Sequence, residues 1–222
     1  MDIADKLQQV KHSIIEAAKL AARKSDEIEL VAVSKIHTAE TIRSSLEAGQ
    51  RVFGENRVQE AQAKWPELRE GFDGVKLHLI GSLQTNKVKE AVEIFDVIET
   101  LDRPKLAQSL AKEMVKQGKN LEVYIQINTG EEDQKGGCLP ADADEFIVLC
   151  VKDLGLNVKG LMCIPPAGEE PSMHFAFLRE IARRHDLIGL SMGMSGDYET
   201  AIRFGATSVR VGTAIFGERP KG

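Results

Sequence analysis

No two cysteines of this sequence stand in a C-x-x-C arrangement. The three present, Cys138, Cys150 and Cys163, are odd in number. Neither a disulfide framework nor a zinc site is suggested, and a reducing cytoplasm fits best. Long apolar runs are missing as well. The N-terminal stretch MDIADKLQQVKHSIIEAAKLAARK is charged throughout, so it reads as neither signal peptide nor transmembrane helix. Positive charge is not in excess: 29 Lys and Arg stand against 34 Asp and Glu, a net charge of -5. That balance argues against a nucleic-acid binder working through bulk charge, and leaves room only for local basic pockets. The dinucleotide fingerprint G-x-G-x-x-G occurs nowhere, and Gly81 to Lys87 lacks the P-loop spacing. His12, His37, His174 and His185 show neither i,i+4 pairing nor metal-ligand spacing.

What is present suits a folded domain. The 222 residues, 42% hydrophobic, can bury a substantial core without a disulfide or metal. Residues 3 to 24 carry an amphipathic helix pattern through Ile3, Leu7, Val10, Ile14, Ala17 and Ala18. Eight strand patterns follow: 29–35, 51–54, 76–80, 96–99, 121–128, 158–164, 187–193 and 208–212. Helical stretches separate them, at 39–48, 57–65, 84–94, 104–117, 140–152, 171–184 and 195–204. Thr38 and Asp102 stand as N-caps, Pro66 as a stop, and Gly49 and Gly118 as C-terminal signals. Strand then helix, repeated, with eight strands in all, predicts a (β/α)8 TIM barrel with an extra N-terminal helix, one domain over residues 1–222. The rival is an open doubly wound sheet, which the missing nucleotide fingerprint disfavours.

Functional residues of such barrels stand at the C-terminal ends of the strands. Here those ends hold Lys35, Glu55 and Asn56, Gly81, Glu99 and Thr100, Asn128, Met162 to Ile164, Met192 to Ser195, and Gly212-Thr213. Lys35 alternates with Val31 and Val33, so it shares the face that points to the core. Such a lysine either snorkels to water or has its amine bound as an imine to an aldehyde cofactor. The loops after strands seven and eight usually build the phosphate pocket of a barrel. Ser195 reads as a plain helix cap or as part of an anion site, while Gly212 admits close backbone approach and Thr213 offers a hydroxyl. Asp197 counts against an anion there. Arg210 alternates with Val209 and Val211 and so faces the barrel axis, where it needs Glu55, Glu99 or a ligand as partner. His78 reads as a satisfied core histidine. Lys135-Gly136-Gly137 reads as a turn, with closure over the mouth as the alternative.

Seven stretches then resemble one family in its own order. They are VAVSK (31–35), FGENRVQE (53–60), HLIGSLQTNK (78–87), Lys135-x-Gly137, GLMCIP (160–165), LSMGMSGD (190–197) and VRVGTAIFG (209–217). The sequence resembles the YggS-like pyridoxal-phosphate homeostasis proteins over nearly its whole length. The departures are small: Leu77 replaces a frequent tryptophan, and Ser82 differs from many members. The resemblance implies a monomeric barrel like the N-terminal domain of bacterial alanine racemase, with pyridoxal 5′-phosphate as ligand. It implies Lys35 as the Schiff-base lysine, Ser195, Gly212 and Thr213 as phosphate-binding positions, and Asn56 and Arg210 as residues lining the pocket. The expected role is to carry and buffer the cofactor in the cytoplasm, touching cofactor-dependent apo-enzymes transiently, without catalysis. The alternative is an amino-acid racemase, which needs an acid or base on each face of the cofactor. The relative supplies one from a second domain, whereas this sequence stops soon after strand eight. Only Tyr124 and Tyr198 are available, and neither obviously substitutes.

Overall fold

The computed structural model describes residues 2–218. Eight strands form its centre: β1 (Glu29–Val33), β2 (Val52–Glu55), β3 (Lys76–Leu79), β4 (Val97–Leu101), β5 (Glu122–Gln126), β6 (Val158–Met162), β7 (Gly189–Ser191) and β8 (Ser208–Val211). The helix α1 (Ile3–Leu20) precedes them. Between and after them come α2 (Ala39–Glu47), α3 (Val58–Glu70), α4 (Val88–Ile94), α5 (Pro104–Gln117), α6 (Ala143–Val148), α7 (Pro171–Arg184), α8 (Tyr198–Arg203) and α9 (Thr213–Phe216). Each strand pairs in parallel with the next, and β1 pairs with β8, so the sheet closes. The expected (β/α)8 barrel is the observed fold, and the open sheet is excluded because no edge remains.

Alternation along the strands sorts two environments. Leu30, Ala32, Phe53, Leu77, Leu79, Ile98, Val123, Ile125, Leu161, Val209 and Val211 join the helices in one continuous apolar core. Val31, Val33, Val97 and Met162 are buried apart from it, inside the ring. The N-terminal mouth is closed by charges: Lys76 Nζ lies 2.8 Å from Glu122 and 3.5 Å from Glu29, and Lys159 lies 3.6 Å from Glu122. On the far side of the sheet, α1 crosses α2, α8 and α9 through Leu7, Val10, Ile14, Ala17 and Ala18.

Several elements differ from the sequence expectation. The first strand ends at Val33, so Lys35 stands in a turn beyond it and not in the strand. The N-terminal helix stops at Leu20, not near residue 24. Pro66 lies inside α3 and does not stop it. Tertiary contacts override the local break, since Leu68 is fully buried and Arg69 Nη1 donates to the Ile94 carbonyl at 3.0 Å. Asp102 does not cap α5; Arg103 holds that position, and Asp102 pairs with it. Ser195 does not cap a helix reaching Phe204, because α8 begins only at Tyr198. The four-residue α9 was not anticipated. Thr38 does cap α2, accepting from the Thr41 N–H at 3.3 Å.

β6 and β7 approach so closely that only glycine fits. Gly160 pairs with Gly189, and a Cβ on Gly160 would lie 1.9 Å from the Gly189 carbonyl oxygen. Gly160→Ala should therefore cost about 3 kcal/mol or more of unfolding free energy, because backbone must move. Urea denaturation checks this; an unchanged midpoint would mean the two strands are further apart.

Candidate functional site

The turn after β1 is unusual in its backbone. The His37 N–H donates to the Ser34 carbonyl at 3.1 Å, closing a four-residue turn with Lys35 and Ile36 at its centre. Ile36 takes φ 63. A β-branched residue there is a genuine outlier, costing on the order of 1–3 kcal/mol. Its own packing is partial, since Ile36 is 47% exposed. Lys35 itself is half-buried at the C-terminal rim.

On one flank of β1, the ends of β7 and β8 meet. Ser195 Oγ accepts from the Gly212 N–H at 3.3 Å and from the Ala214 N–H at 3.5 Å. Two backbone donors thus converge on one oxygen. A Cβ on Gly212 would lie 3.2 Å from Val33 Cβ, a tight approach two residues before Lys35. Thr213 is exposed beside them. Asp197 is the residue that counts against an anion here. Its carboxylate turns back on its own loop and accepts from the Met194 N–H at 2.6 Å. On the other flank of β1, Asn56 follows β2 and lines a cleft of about 400 Å³ with Gly81, Ser82 and Lys87. A second cleft of about 870 Å³, lined by Asp102, Cys138, Phe146 and Leu149, lies on the barrel's flank. None of the expected site residues lines it, so its size does not make it the site.

Arg210 lies inside the ring, 3% exposed, as alternation along β8 required. Its guanidinium bonds Ser191 Oγ and donates to the Cys163 carbonyl at 2.8 Å, while Glu99 Oε2 stands 3.7 Å away. Of the two carboxylates expected as partners, Glu99 is the one. Glu55 points to the helix side, against Lys64 and Trp65. Glu99 is fully buried and accepts from Ser191 Oγ at 2.6 Å, with His78 Nδ1 also at 2.6 Å. An ionised carboxylate only accepts, so Nδ1 carries the proton in this contact. Sequence reasoning missed Ser191 and the Cys163 carbonyl. Burial pulls the Glu99 pKa upward. The hydrogen bond and field of His78, the Arg210 charge and the Ser191 hydroxyl outweigh burial and hold it below the usual carboxylate value. Burial also pushes the thiols of Cys150 and Cys163 up to about 12, so neither offers a ready thiolate. The Lys135 loop is tied down as a turn: Nζ bonds the Pro165 carbonyl at 3.1 Å, and Gln126 Nε2 holds the Gly136 carbonyl at 2.8 Å. Among the described residues no helix is long and apolar enough to cross a membrane.

A closed parallel barrel with a lysine at its C-terminal rim has matching proteins. Residues 6–220 match the family described as alanine racemase, N-terminal domain. The pyridoxal phosphate homeostasis protein of Escherichia coli K12 is 40% identical, over 98% of this chain and 97% of that one. That of Pseudomonas aeruginosa is 41% identical over 99% and 97%. The chain belongs to the pyridoxal phosphate homeostasis protein family. PipY of Synechococcus elongatus PCC7942, solved with PLP bound, superposes with TM-score 0.84 at 37% identity, covering 97% of this chain and 100% of that one. An alanine racemase from Corynebacterium glutamicum shares the fold at TM-score 0.70 and 17% identity, with 64% of its chain covered.

The Glu99 shift sets a pH dependence. A carboxylate held low in the folded state stabilises fully above its unfolded value near 4.5, and this stabilisation is lost as pH falls through the folded value. Urea unfolding between about pH 6 and about pH 3 should therefore lose stability less steeply in Glu99→Gln than in the wild type. Equal slopes would mean Glu99 is not ionised in the fold.

Proposed function

We propose that this chain binds pyridoxal 5′-phosphate at the C-terminal mouth and carries and buffers it in the cytoplasm, as a monomer that meets cofactor-dependent apo-enzymes transiently. The observation that carries this reading is one juxtaposition. The Gly212 and Ala214 N–H groups converge on a single oxygen, and Gly212 packs against Val33, two residues from Lys35. Convergent backbone donors are what a phosphate oxygen requires. A rim amine nearby is what an aldehyde requires, and the PLP-bound PipY relative is consistent with the pairing. Ser195 and Thr213 add hydroxyls to the phosphate end. Arg210 and Asn56 line the remaining walls. Everything named comes from one chain, so a second copy is not needed.

The cofactor supplies an electrophilic aldehyde carbon, which a neutral amine bonds reversibly with loss of water. Lys35 provides that amine, and the guanidinium of Arg210, bonded to the Cys163 carbonyl, is held inside the ring. Racemisation would need a second acid or base. Tyr124 is a poor base or acid, since burial and then the Glu99, Glu29 and Glu122 charges push its phenol well above its ordinary value. Tyr198 is buried at the start of α8, behind Gly193. The match to the alanine racemase family keeps racemisation as the second reading.

Borohydride treatment with the cofactor should fix its mass on Lys35 and leave Lys35→Ala colourless. Ser195→Ala with Thr213→Ala should release the cofactor faster, each losing a charge-assisted hydrogen bond of about 1.5–3 kcal/mol. Unchanged retention in dialysis would displace the phosphate from these residues. Turnover of single-enantiomer amino acids on chiral chromatography, lost in Lys35→Ala, would favour the racemase.

A further inference from the structure

Lys64 lies on α3, on the outer side of the sheet, where the mouth's chemistry does not reach. Its side chain is only 14% exposed. The ammonium has three donors. One meets Glu55 Oε1 at 2.8 Å, one the Ser34 carbonyl at 3.3 Å, and one the His37 carbonyl at 3.4 Å. Those two carbonyls bracket Lys35 and Ile36. Glu55 Oε1 is itself fixed by Ser34 Oγ at 2.7 Å and Trp65 Nε1 at 3.1 Å. The His37 ring rests 4.9 Å from the Phe216 ring of α9.

The turn needs such a hold. A positive φ at the third turn position normally selects glycine or asparagine. Here it is Ile36, which is 47% exposed and only partly packed. Strained backbone persists only where its surroundings over-determine it, and such spots cluster at ligand sites. We infer that Lys64, anchored by Glu55, is a positioning residue: it clamps the two carbonyls around the Lys35 turn and so aims the Lys35 amine into the mouth. The inference rests on the reading of Lys35 as the cofactor's amine, and extends it to a residue on the opposite side of the sheet.

The test uses the full chain. Lys64→Met removes the three donors at nearly constant volume; Lys64→Arg keeps charge and donors. The first readout needs no cofactor: trace acetylation of the Lys35 amine across pH, followed by peptide mass spectrometry. In Lys64→Met the Lys35 rate should rise toward that of exposed lysines, and in Lys64→Arg it should stay near the wild type. The second readout is the rate at which added pyridoxal phosphate forms its C=N bond to Lys35 with release of water. It should fall by up to about a hundredfold in Lys64→Met, the scale expected for a reacting group misplaced by about 1 Å. Ile36→Gly should restore much of that rate in the Lys64→Met background, because glycine holds the turn without strain. The pair Glu55→Gln with Lys64→Met, which removes both buried charges together, must reproduce the acetylation change if the single variant does not fold. A lower melting temperature with both readouts unchanged would overturn the clamp. Altered acetylation with no C=N bond in any variant, wild type included, would uphold the clamp and overturn the cofactor reading.

Discussion

The seam between β1 and β8 is the constraint on which the rest depends. Val31 sits opposite Arg210 across it, and Ala32 opposite Val211. Closing that seam puts the end of the first strand beside the end of the last, so residues nearly two hundred positions apart share one rim. Without closure, Lys35 and the Gly212 nest would lie on opposite edges of an open sheet. The register also decides which side chains look inward. A slip by one residue would turn Arg210 outward into the helix layer and bring Val209 and Val211 into the ring.

The interior that this register creates departs from the usual stack of branched apolar side chains. Below the rim stands a polar layer of His78, Glu99, Ser191 and Arg210. A buried ion pair of this sort adds little net stability, because desolvation offsets the attraction. Its effect is geometric. The guanidinium is held from three directions, by Ser191, by the Cys163 carbonyl and by the Glu99 charge. The floor of the mouth is therefore rigid, and the carboxylate compensates the charge that Arg210 brings inside.

Much of this was legible in the sequence wherever alternation alone decides. Val209-Arg210-Val211 announced an inward arginine. Glu99 shares its strand face with Val97, which points it inward to Arg210, as the structure has it. Glu55, the other expected partner, shares its face with Phe53, an apolar residue facing the helices; applying the same parity there would have removed it. What was not legible depends on contacts distant in sequence. Pro66 looked like a stop because burial of Leu68 and anchoring of Arg69 cannot be read from local propensity. Ser195 looked like a cap because serine before a helical pattern usually is one. Its hydroxyl instead bonds the backbone of the following strand's loop, which the parallel pairing of β7 with β8 brings near.

The two sides of the Lys35 turn also differ in a way that bears on what a carrier needs. A site that holds a ligand and then gives it up must be pre-organised at the anchor yet open at the mouth. The anchor is over-determined here: a buried ammonium, two carbonyls, a buried carboxylate and an indole N–H all converge behind it. In front of it stand exposed Ile36, exposed Met194 and exposed Thr213. The buried polar contacts therefore lie on the helix side of the sheet, and the exposed residues on the other. An enzyme that racemised amino acids would require the reverse in front, a second catalytic group fixed over the opened face. Of the two tyrosines, one is largely buried inside the ring with its phenol pushed well above its ordinary value, and the other is buried at the start of α8.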